Sequence, residues 1–287
     1  MNFTRHGSYV KELNEETVWN QPVTKPVVGI VKGNLTFFDS GSDIIYAGAQ
    51  LGLLNEDDRP LFWAQRLYAR YSESAHPDTG LPPWHHTSLR DFGSEENPVP
   101  EYALITSGSA GLMNGGGIAM LRLGEELGAK GRYYRETMLK HLKAYAKHCY
   151  RPEVNEMRNV LFDGTDLADR DAKNAKPGEE IKSSWTPWSP TPTNILAFAI
   201  CYKQSADKDI WEALRAMCRG NNFGDIGNGT SKAPRLNLET EEENYLFIFP
   251  LVELFKATRD EAYLELGRVI ANNAFGKHFR PEQGLFT

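Results

Sequence analysis

The chain has 287 residues, of which 40% are hydrophobic and 24% charged, so it is long enough for one large globular domain or two small ones. Its net charge of -6 argues against a nucleic-acid or membrane-surface partner, because both require a basic face. No window has the roughly 18 uninterrupted apolar residues of a membrane span.

Residues 1–36 are a polar stretch interrupted by prolines, and the first helical pattern follows it. Asp39 or Ser40 is a candidate N-cap, and an apolar stripe then continues to a polar turn at residues 55–58. Pro60 suits the first turn of a second helix. Together these two helices predict an αα-hairpin.

The same unit recurs along the chain, and extended β patterns of useful length are missing. Further helix pairs are predicted over Leu112–Leu127 with Tyr133–Tyr150, Ile195–Tyr202 with Ile210–Cys218, and Tyr245–Ala257 with Ala262–Phe279. Pro250 should kink the helix that contains it, because proline removes a backbone donor. The three cysteines Cys149, Cys201 and Cys218 fall inside helical patterns, which predicts buried free thiols.

A short motif of a basic residue, a proline and an acid follows three of the predicted hairpins. It stands at His76-Pro77-Asp78, Arg151-Pro152-Glu153 and Arg280-Pro281-Glu282. Proline ends a helix, and recurrence of one stop signal after successive hairpins is typical of a ring or stack of αα units. The unequal spacing indicates that an intervening hairpin has diverged. We predict an all-α fold, an α/α toroid with an incomplete ring, formed by a single domain over residues 1–287.

Long loops beside the helices are the first place to look for binding residues. Trp84, His85, His86 and Arg90 combine an aromatic face with hydrogen-bond donors, which suits a carbohydrate subsite, although a solvated loop explains them equally well. The aspartates between 163 and 171 are spaced loosely like a calcium loop but lack its glycine and closing glutamate, so a polar surface loop is preferred. Trp185 and Trp188 belong to a stiff aromatic loop that either lines a cleft or packs on the rim.

Several short motifs agree in order and spacing with one family. They include Thr4-Arg5-His6-Gly7, the Lys32-Gly33 segment and Gly41-Ser42-Asp43-Ile44-Ile45-Tyr46. Further along the chain they continue with Asp78–Leu81, Leu123–Gly128, Gly164–Leu167, Tyr245 and Gly284-Leu285-Phe286. On these motifs the chain resembles the family 2 polysaccharide lyases, the helical pectate lyases, from about Thr4 to the end.

The resemblance implies a pectate lyase that cleaves polygalacturonate or oligogalacturonate by metal-assisted β-elimination and gives 4,5-unsaturated products. By position, Arg5 matches the proton-abstracting arginine of the family and His6 matches one metal-binding histidine. A neutral imidazole suits manganese, cobalt, nickel or a related divalent ion. We assign substrate binding to Lys32, Trp84 and Arg90 on residue type and loop position.

The family's other metal ligands, a histidine and a glutamate, precede the Arg-His pair, and its helices continue beyond the last residue here. We therefore expect an incomplete metal site in an internal piece of a longer lyase, a truncated gene product or a divergent relative. Family resemblance indicates a periplasmic or cytoplasmic protein, and Met1–His6 does not have the pattern of a signal peptide.

Two alternatives remain open at the level of sequence. The first is a non-catalytic uronate-binding domain or lyase fragment. The second is a glycoside hydrolase on a similar toroid, which needs two opposed carboxylates, for example Asp39 or Asp43 with Glu101.

Overall fold

Helices dominate the structure, a computed structural model that describes residues 41–72, 75–82, 105–107, 115–174, 185–228 and 233–286. The α-helices among these residues are α1 Ser42–Leu54, α2 Asp58–Ser72, α3 Gly115–Glu126, α4 Arg132–His148, α5 Leu167–Asn174, α6 Pro192–Ser205, α7 Lys208–Gly220, α8 Ile248–Thr258 and α9 Ala262–His278. Two 3-10 turns, Gly128–Gly131 and Tyr245–Phe247, precede α4 and α8. The predicted all-α class is confirmed.

The strands in the described ranges are two or three residues long and form four antiparallel pairs. They are β1 Ile105–Ser107 with β4 Asn159–Leu161, β2 Tyr150–Arg151 with β3 Glu156–Met157, β5 Gly224–Asp225 with β6 Arg235–Leu236, and β7 Phe279–Arg280 with β8 Leu285–Phe286. Strands this short do not make a layer of their own. Three of the pairs, β2–β3, β5–β6 and β7–β8, follow shortly after the helices α4, α7 and α9.

The described residues divide into two compact units. Unit 1 holds the described residues up to Cys149 together with those from Arg158 to Pro187, and unit 2 holds Tyr150–Met157 and those from Trp188 onward. The prediction of one domain over 1–287 stays a prediction.

Unit 1 contains the first two helix pairs. Helix α1 packs on α2, α3 packs on α4, and α1 also contacts α3. Gly52 makes the first hairpin tight, because a Cβ at this position would lie 3.1 Å from the backbone nitrogen of Leu61. On α4, the stripe predicted from residue spacing is buried, since Tyr134, Met138 and Tyr145 are all fully inaccessible to solvent.

Unit 2 contains the remaining two pairs, α6 with α7 and α8 with α9, and α6 packs against α8. Thr191 begins α6 with a capping box, in which its hydroxyl accepts from the backbone of Asn194 and its own N–H donates to the Asn194 side chain. The Asp207 carboxylate caps α7 by accepting from the backbone N–H groups of Asp209 and Ile210. Glu253 is buried on α8 and forms ion pairs with Lys203 and Lys256.

Pro250 does not have the predicted effect on its helix. The predicted helix over residues 245–257 begins instead as a 3-10 turn, and α8 begins at Ile248. Pro250 therefore lies in the first turn, where backbone N–H groups have no partner within the helix and the missing donor costs nothing. The prediction of a kink there was wrong for this reason.

The repeated stop motif has one backbone geometry at all three sites. The fourth residue after the basic one has a left-handed conformation each time, with φ of 74° at Gly80, 52° at Asn155 and 64° at Gly284. The backbone N–H of Gly80 donates to His76 O at 2.8 Å, and that of Gly284 donates to Arg280 O at the same distance. After α7 the chain forms the β5–β6 pair, whose sequence lacks the motif. The α6–α7 hairpin is therefore the one that the unequal spacing indicates as diverged.

Within each unit, the first helices of two consecutive pairs contact each other, α1 with α3 and α6 with α8. An α/α toroid requires this layering, with first helices inside and second helices outside. The closed or incomplete ring itself stays a prediction.

Candidate functional site

The connections between helices are short at one end of the helix pairs and long at the other. Within pairs, the helices are joined by two to five residues, as at Ala206–Asp207 between α6 and α7 and at 127–131 between α3 and α4. Between pairs, the chain needs residues 73–114 from α2 to α3 and residues 221–247 from α7 to α8. Because loops on a rigid scaffold carry most binding residues, the long-connection end of each unit is the candidate site.

The five predicted site residues all belong to segments that lead into first helices. Arg5, His6 and Lys32 precede α1 in the chain, and Trp84 and Arg90 precede α3. All five lie outside the described residues, so their predicted roles stay predictions.

The segment with Trp84 and Arg90 begins and ends at neighbouring points of unit 1. The Thr106 hydroxyl, which is buried, donates to the carbonyl of Pro82 at 2.8 Å. Ile105 beside it pairs with Leu161 in the β1–β4 ladder. The described residues on either side of this segment, Pro82 and Thr106, are therefore in direct contact.

Two turns that support the family resemblance pack on each other. The Thr79 hydroxyl donates to the carbonyl of Phe162 at 2.5 Å. Gly164, with φ of 95°, fits against Thr79 and His148, and a Cβ there would lie 3.4 Å from the His148 Nδ1 atom. These motif residues therefore have a structural role, because they hold the turn at Asp78–Leu81 against the turn at Gly164–Leu167.

The third turn of this kind, Leu123–Gly128, is also structural. Arg135 of α4 donates to the carbonyl oxygens of Gly124 and Gly128 at the end of α3 and the start of the 3-10 turn. Gly131 lets the chain turn into α4, because a Cβ there would lie 2.6 Å from Gly124 O.

The aspartates of the possible calcium loop are used by the protein itself. Asp163 accepts from the backbone N–H of Thr165, and Asp166 caps α5 by accepting from the backbone of Asp169. Arg158 forms ion pairs with Asp166 and Asp169. These contacts agree with the polar-loop interpretation.

The described residues include histidine, cysteine and carboxylate side chains, the usual protein ligands of a metal ion. No group of three or more histidine, cysteine, aspartate or glutamate side chains in those residues could hold a metal ion. His76 accepts from the backbone of Asp78, His278 pairs with Glu243, and His141 is buried on α4. The described residues thus offer no ligand set, and the metal role predicted for His6 stays a prediction.

The three cysteines are buried free thiols, as predicted. Burial raises the pKa of Cys218 to about 12, so this thiol is not a nucleophile at neutral pH.

Trp188 of the aromatic loop packs at the start of unit 2. Its backbone N–H donates to Met157 O at 3.2 Å, and its carbonyl accepts from Met157 N at 2.7 Å. This ladder attaches the residues before α6 to the β2–β3 hairpin.

Comparison with known proteins identifies the family. The sequence model of the periplasmic pectate lyase family matches residues 1–96 and 88–287. The chain belongs to this family.

One curated relative covers nearly the whole chain. It is the pectate disaccharide-lyase of Dickeya dadantii (strain 3937), which is 24% identical to this chain over an alignment of 323 residues, gaps included. The alignment covers 99% of this chain and 54% of the relative. The chain thus spans about half the length of the curated relative it matches. In the described part of the chain, no helix is both long and apolar enough to cross a membrane.

Proposed function

We propose that this protein is a pectate lyase that cleaves polygalacturonate or oligogalacturonate by β-elimination and releases 4,5-unsaturated products. Membership of the pectate lyase family along the chain carries this proposal. The name of the relative, a pectate disaccharide-lyase, supports a substrate of linked galacturonates.

Arg5 is the proposed base. It takes the proton from C5 of a galacturonate, the electron pair forms the C4–C5 double bond, and the bond from C4 to the bridging oxygen breaks. That oxygen takes up a proton and leaves on the departing sugar chain. A guanidinium normally titrates above about 12, so neighbouring positive charge or desolvation must favour the neutral form of Arg5.

His6 is the proposed protein ligand for a divalent cation such as manganese, cobalt or nickel. The cation supplies Lewis-acid chemistry, because it withdraws charge from the uronate carboxylate and makes the C5 proton more acidic. His6 must be a neutral imidazole to bind it, so binding weakens as the pH falls.

Lys32, Trp84 and Arg90 are the proposed substrate-binding residues. Arginine suits a carboxylate because its planar fork donates two parallel hydrogen bonds, and lysine supplies a compact charge. Trp84 offers a flat face to a sugar ring. The buried bond between Thr106 and Pro82 supports this assignment, since it fixes both ends of the segment with Trp84 and Arg90.

The proposed partners and compartment follow from the same family. We propose a polyuronate partner in the periplasm, and neither nucleic acid nor a membrane, in keeping with a net charge of -6.

The test follows the ultraviolet absorbance of the unsaturated product from polygalacturonate, with added manganese or cobalt and with a chelator. Arg5→Ala should lower the rate by about 10²–10⁴-fold, the usual contribution of a positioned base. Arg59→Ala is the matched control, because Arg59 is 59% exposed and pairs with Asp57 at the short-connection end. Calorimetry with manganese should show binding that His6→Ala weakens.

The two alternatives give different results in the same experiment. Reducing ends without unsaturated product would indicate a glycoside hydrolase and refute the elimination. Binding of oligogalacturonate without any turnover would indicate a uronate-binding domain. Equal rates for Arg5→Ala and Arg59→Ala would refute the role of Arg5.

A further inference from the structure

Helix α1 is apolar around its whole circumference, yet one side of it is exposed. Its sequence, SDIIYAGAQLGLL, is rich in isoleucine, leucine and alanine, and Asp43 is its one charged residue. Leu51 is 50% exposed and Leu54 is 80% exposed. Because a helix that is apolar all round is normally buried on every side, the exposed side of α1 is suited to a further contact.

The exposed side of α1 forms a regular stripe. Ile44, Ala47, Leu51 and Leu54 follow one another at steps of three, four and three residues, the spacing with which a helix meets a neighbouring helix. This α1 stripe lies opposite the buried residues of the same helix, Ser42, Ile45, Ala49 and Gly52. At a rise of about 1.5 Å per residue, the stripe is about 15 Å long.

A second uncovered apolar surface lies in unit 2, where α8 and α9 form a groove. Its lining residues include Ile248, Leu251, Val252, Leu264 and Ala271. Phe249 on α8 is 55% exposed, and Phe275, one turn beyond Ala271 on α9, is 54% exposed. From Leu264 to Phe275 the α9 side of this α8–α9 groove is about 16 Å long, which matches the α1 stripe.

The two surfaces also have complementary charge. Asp43, the one charged residue of α1, is an exposed acid. Arg268, which is exposed, is the one charged residue among the described residues that line the groove. The acids of α9, Glu261 and Glu265, are not among those lining residues. Opposite charges on two apolar surfaces favour their contact.

Contacts between first helices show how this fold covers such surfaces. Helix α1 packs against α3, and α6 packs against α8. The side of α8 that faces α6 carries Glu253, which pairs with Lys203. Ile248 of the groove is five positions away from Glu253, or about 140° around the helix, so the groove lies on another side of α8. A further first helix seated there would extend the stack of helix pairs.

We propose that this protein associates head to tail, with the α1 stripe of one copy seated in the α8–α9 groove of a second copy. The chain itself supplies both surfaces, which favours a second copy over a different protein. Because the two surfaces differ, the contact is heterologous, and each copy retains one surface for the next. Association therefore gives a closed ring or a longer row of copies, and it does not depend on the proposed lyase function.

The test measures the mass of the full chain by analytical ultracentrifugation over a series of protein concentrations. The average mass of the wild type should rise with concentration. Leu54→Glu in the stripe and Ala271→Glu in the groove should each weaken association about tenfold or more, because each places a charge in an apolar contact. Val154→Glu is the matched control, since Val154 is 56% exposed and belongs to neither surface. Thermal melts by circular dichroism check that every variant is folded.

Mixing the two variants tests which surfaces meet. Leu54→Glu keeps an intact groove and Ala271→Glu keeps an intact stripe, so an equal mixture should form dimers and nothing larger. A wild-type chain that stays monomeric over the whole concentration series would overturn the proposal. So would association of folded Leu54→Glu alone at the wild-type strength, or a mixture that stays monomeric where the wild type associates.

Discussion

Acid should destabilise this protein through one buried histidine. His141 is 4% exposed on the packed face of α4, and its Nδ1 atom has no hydrogen-bond partner among the residues that the structure describes. Burial lowers the pKa of His141 from 6.5 to about 4, and the charge of Lys140 adds to the effect. The imidazole is therefore neutral in the folded protein at neutral pH.

The sign and size of the effect follow from proton linkage. Between the unfolded pKa of 6.5 and the folded pKa of about 4, the unfolded chain binds more protons than the folded one. The free energy of unfolding therefore falls as the pH falls through this window. The two pKa values differ by about 2.5. Since a pKa difference of one corresponds to about 1.4 kcal/mol, the full effect is roughly 3–4 kcal/mol.

The measurement compares urea unfolding of the wild-type chain and His141→Leu at about pH 7 and about pH 4.5, inside the window that linkage defines. The wild type should lose more free energy of unfolding between these values than His141→Leu, by on the order of 2 kcal/mol. Lys140→Gln, on the exposed face of α4, should keep most of the wild-type loss because burial is the larger cause. Equal losses in wild type and His141→Leu would refute the reasoning.

Two further predictions concern tight packing and an ion pair. Gly131→Ala should lower the free energy of unfolding by about 1–3 kcal/mol, because the new Cβ meets Gly124 O at 2.6 Å. At Gly276 on α9 a new Cβ meets nothing within 4 Å among the described residues, so Gly276→Ala should raise the free energy of unfolding by about 0.5–1 kcal/mol. Urea midpoints that move in the same direction for both variants would contradict the packing argument. Asp225→Asn should lower the free energy of unfolding by about 1.5–3 kcal/mol in the same assay, because it weakens the bidentate ion pair with Arg215, whose two hydrogen bonds are 2.7 and 2.8 Å long. The Arg215 guanidinium holds the pKa of Asp225 well below its usual range. The stabilisation by this ion pair is therefore present above the usual carboxyl pKa and is lost as the pH falls through the lowered pKa of Asp225. Asp225→Asn should consequently lose less stability than the wild type in strong acid, and equal losses would contradict the role of the pair.

The helix pairs and their order were predictable from the sequence because helices bury periodic apolar stripes. The spacing of Tyr134, Met138 and Tyr145 predicts a buried face for α4, and all three are inaccessible. The repeated stop motif was equally predictable, since proline and the residue in the left-handed position act locally. Local chemistry of this kind does not depend on the rest of the fold.

The family was also recognisable from short motifs in order along the chain, but their roles in the described region were not. Asp78–Leu81 and Gly164–Leu167 are separated by more than eighty residues, and only the folded chain brings Thr79 against Gly164. The burial of His141 likewise depends on which helices pack on α4, which its flanking residues do not specify. Arg5 and His6 remain assignments made from sequence.

Sequence alone thus determined the helical class, the hairpin repeat and the family, because these depend on residue periodicity, local turn chemistry and motif order. Tertiary structure decided the division into two units, the contact of Thr79 with Gly164 and the burial of His141. Those features arise from contacts between residues far apart in the chain. Such contacts depend on how helix faces fit together, and no local pattern encodes that fit.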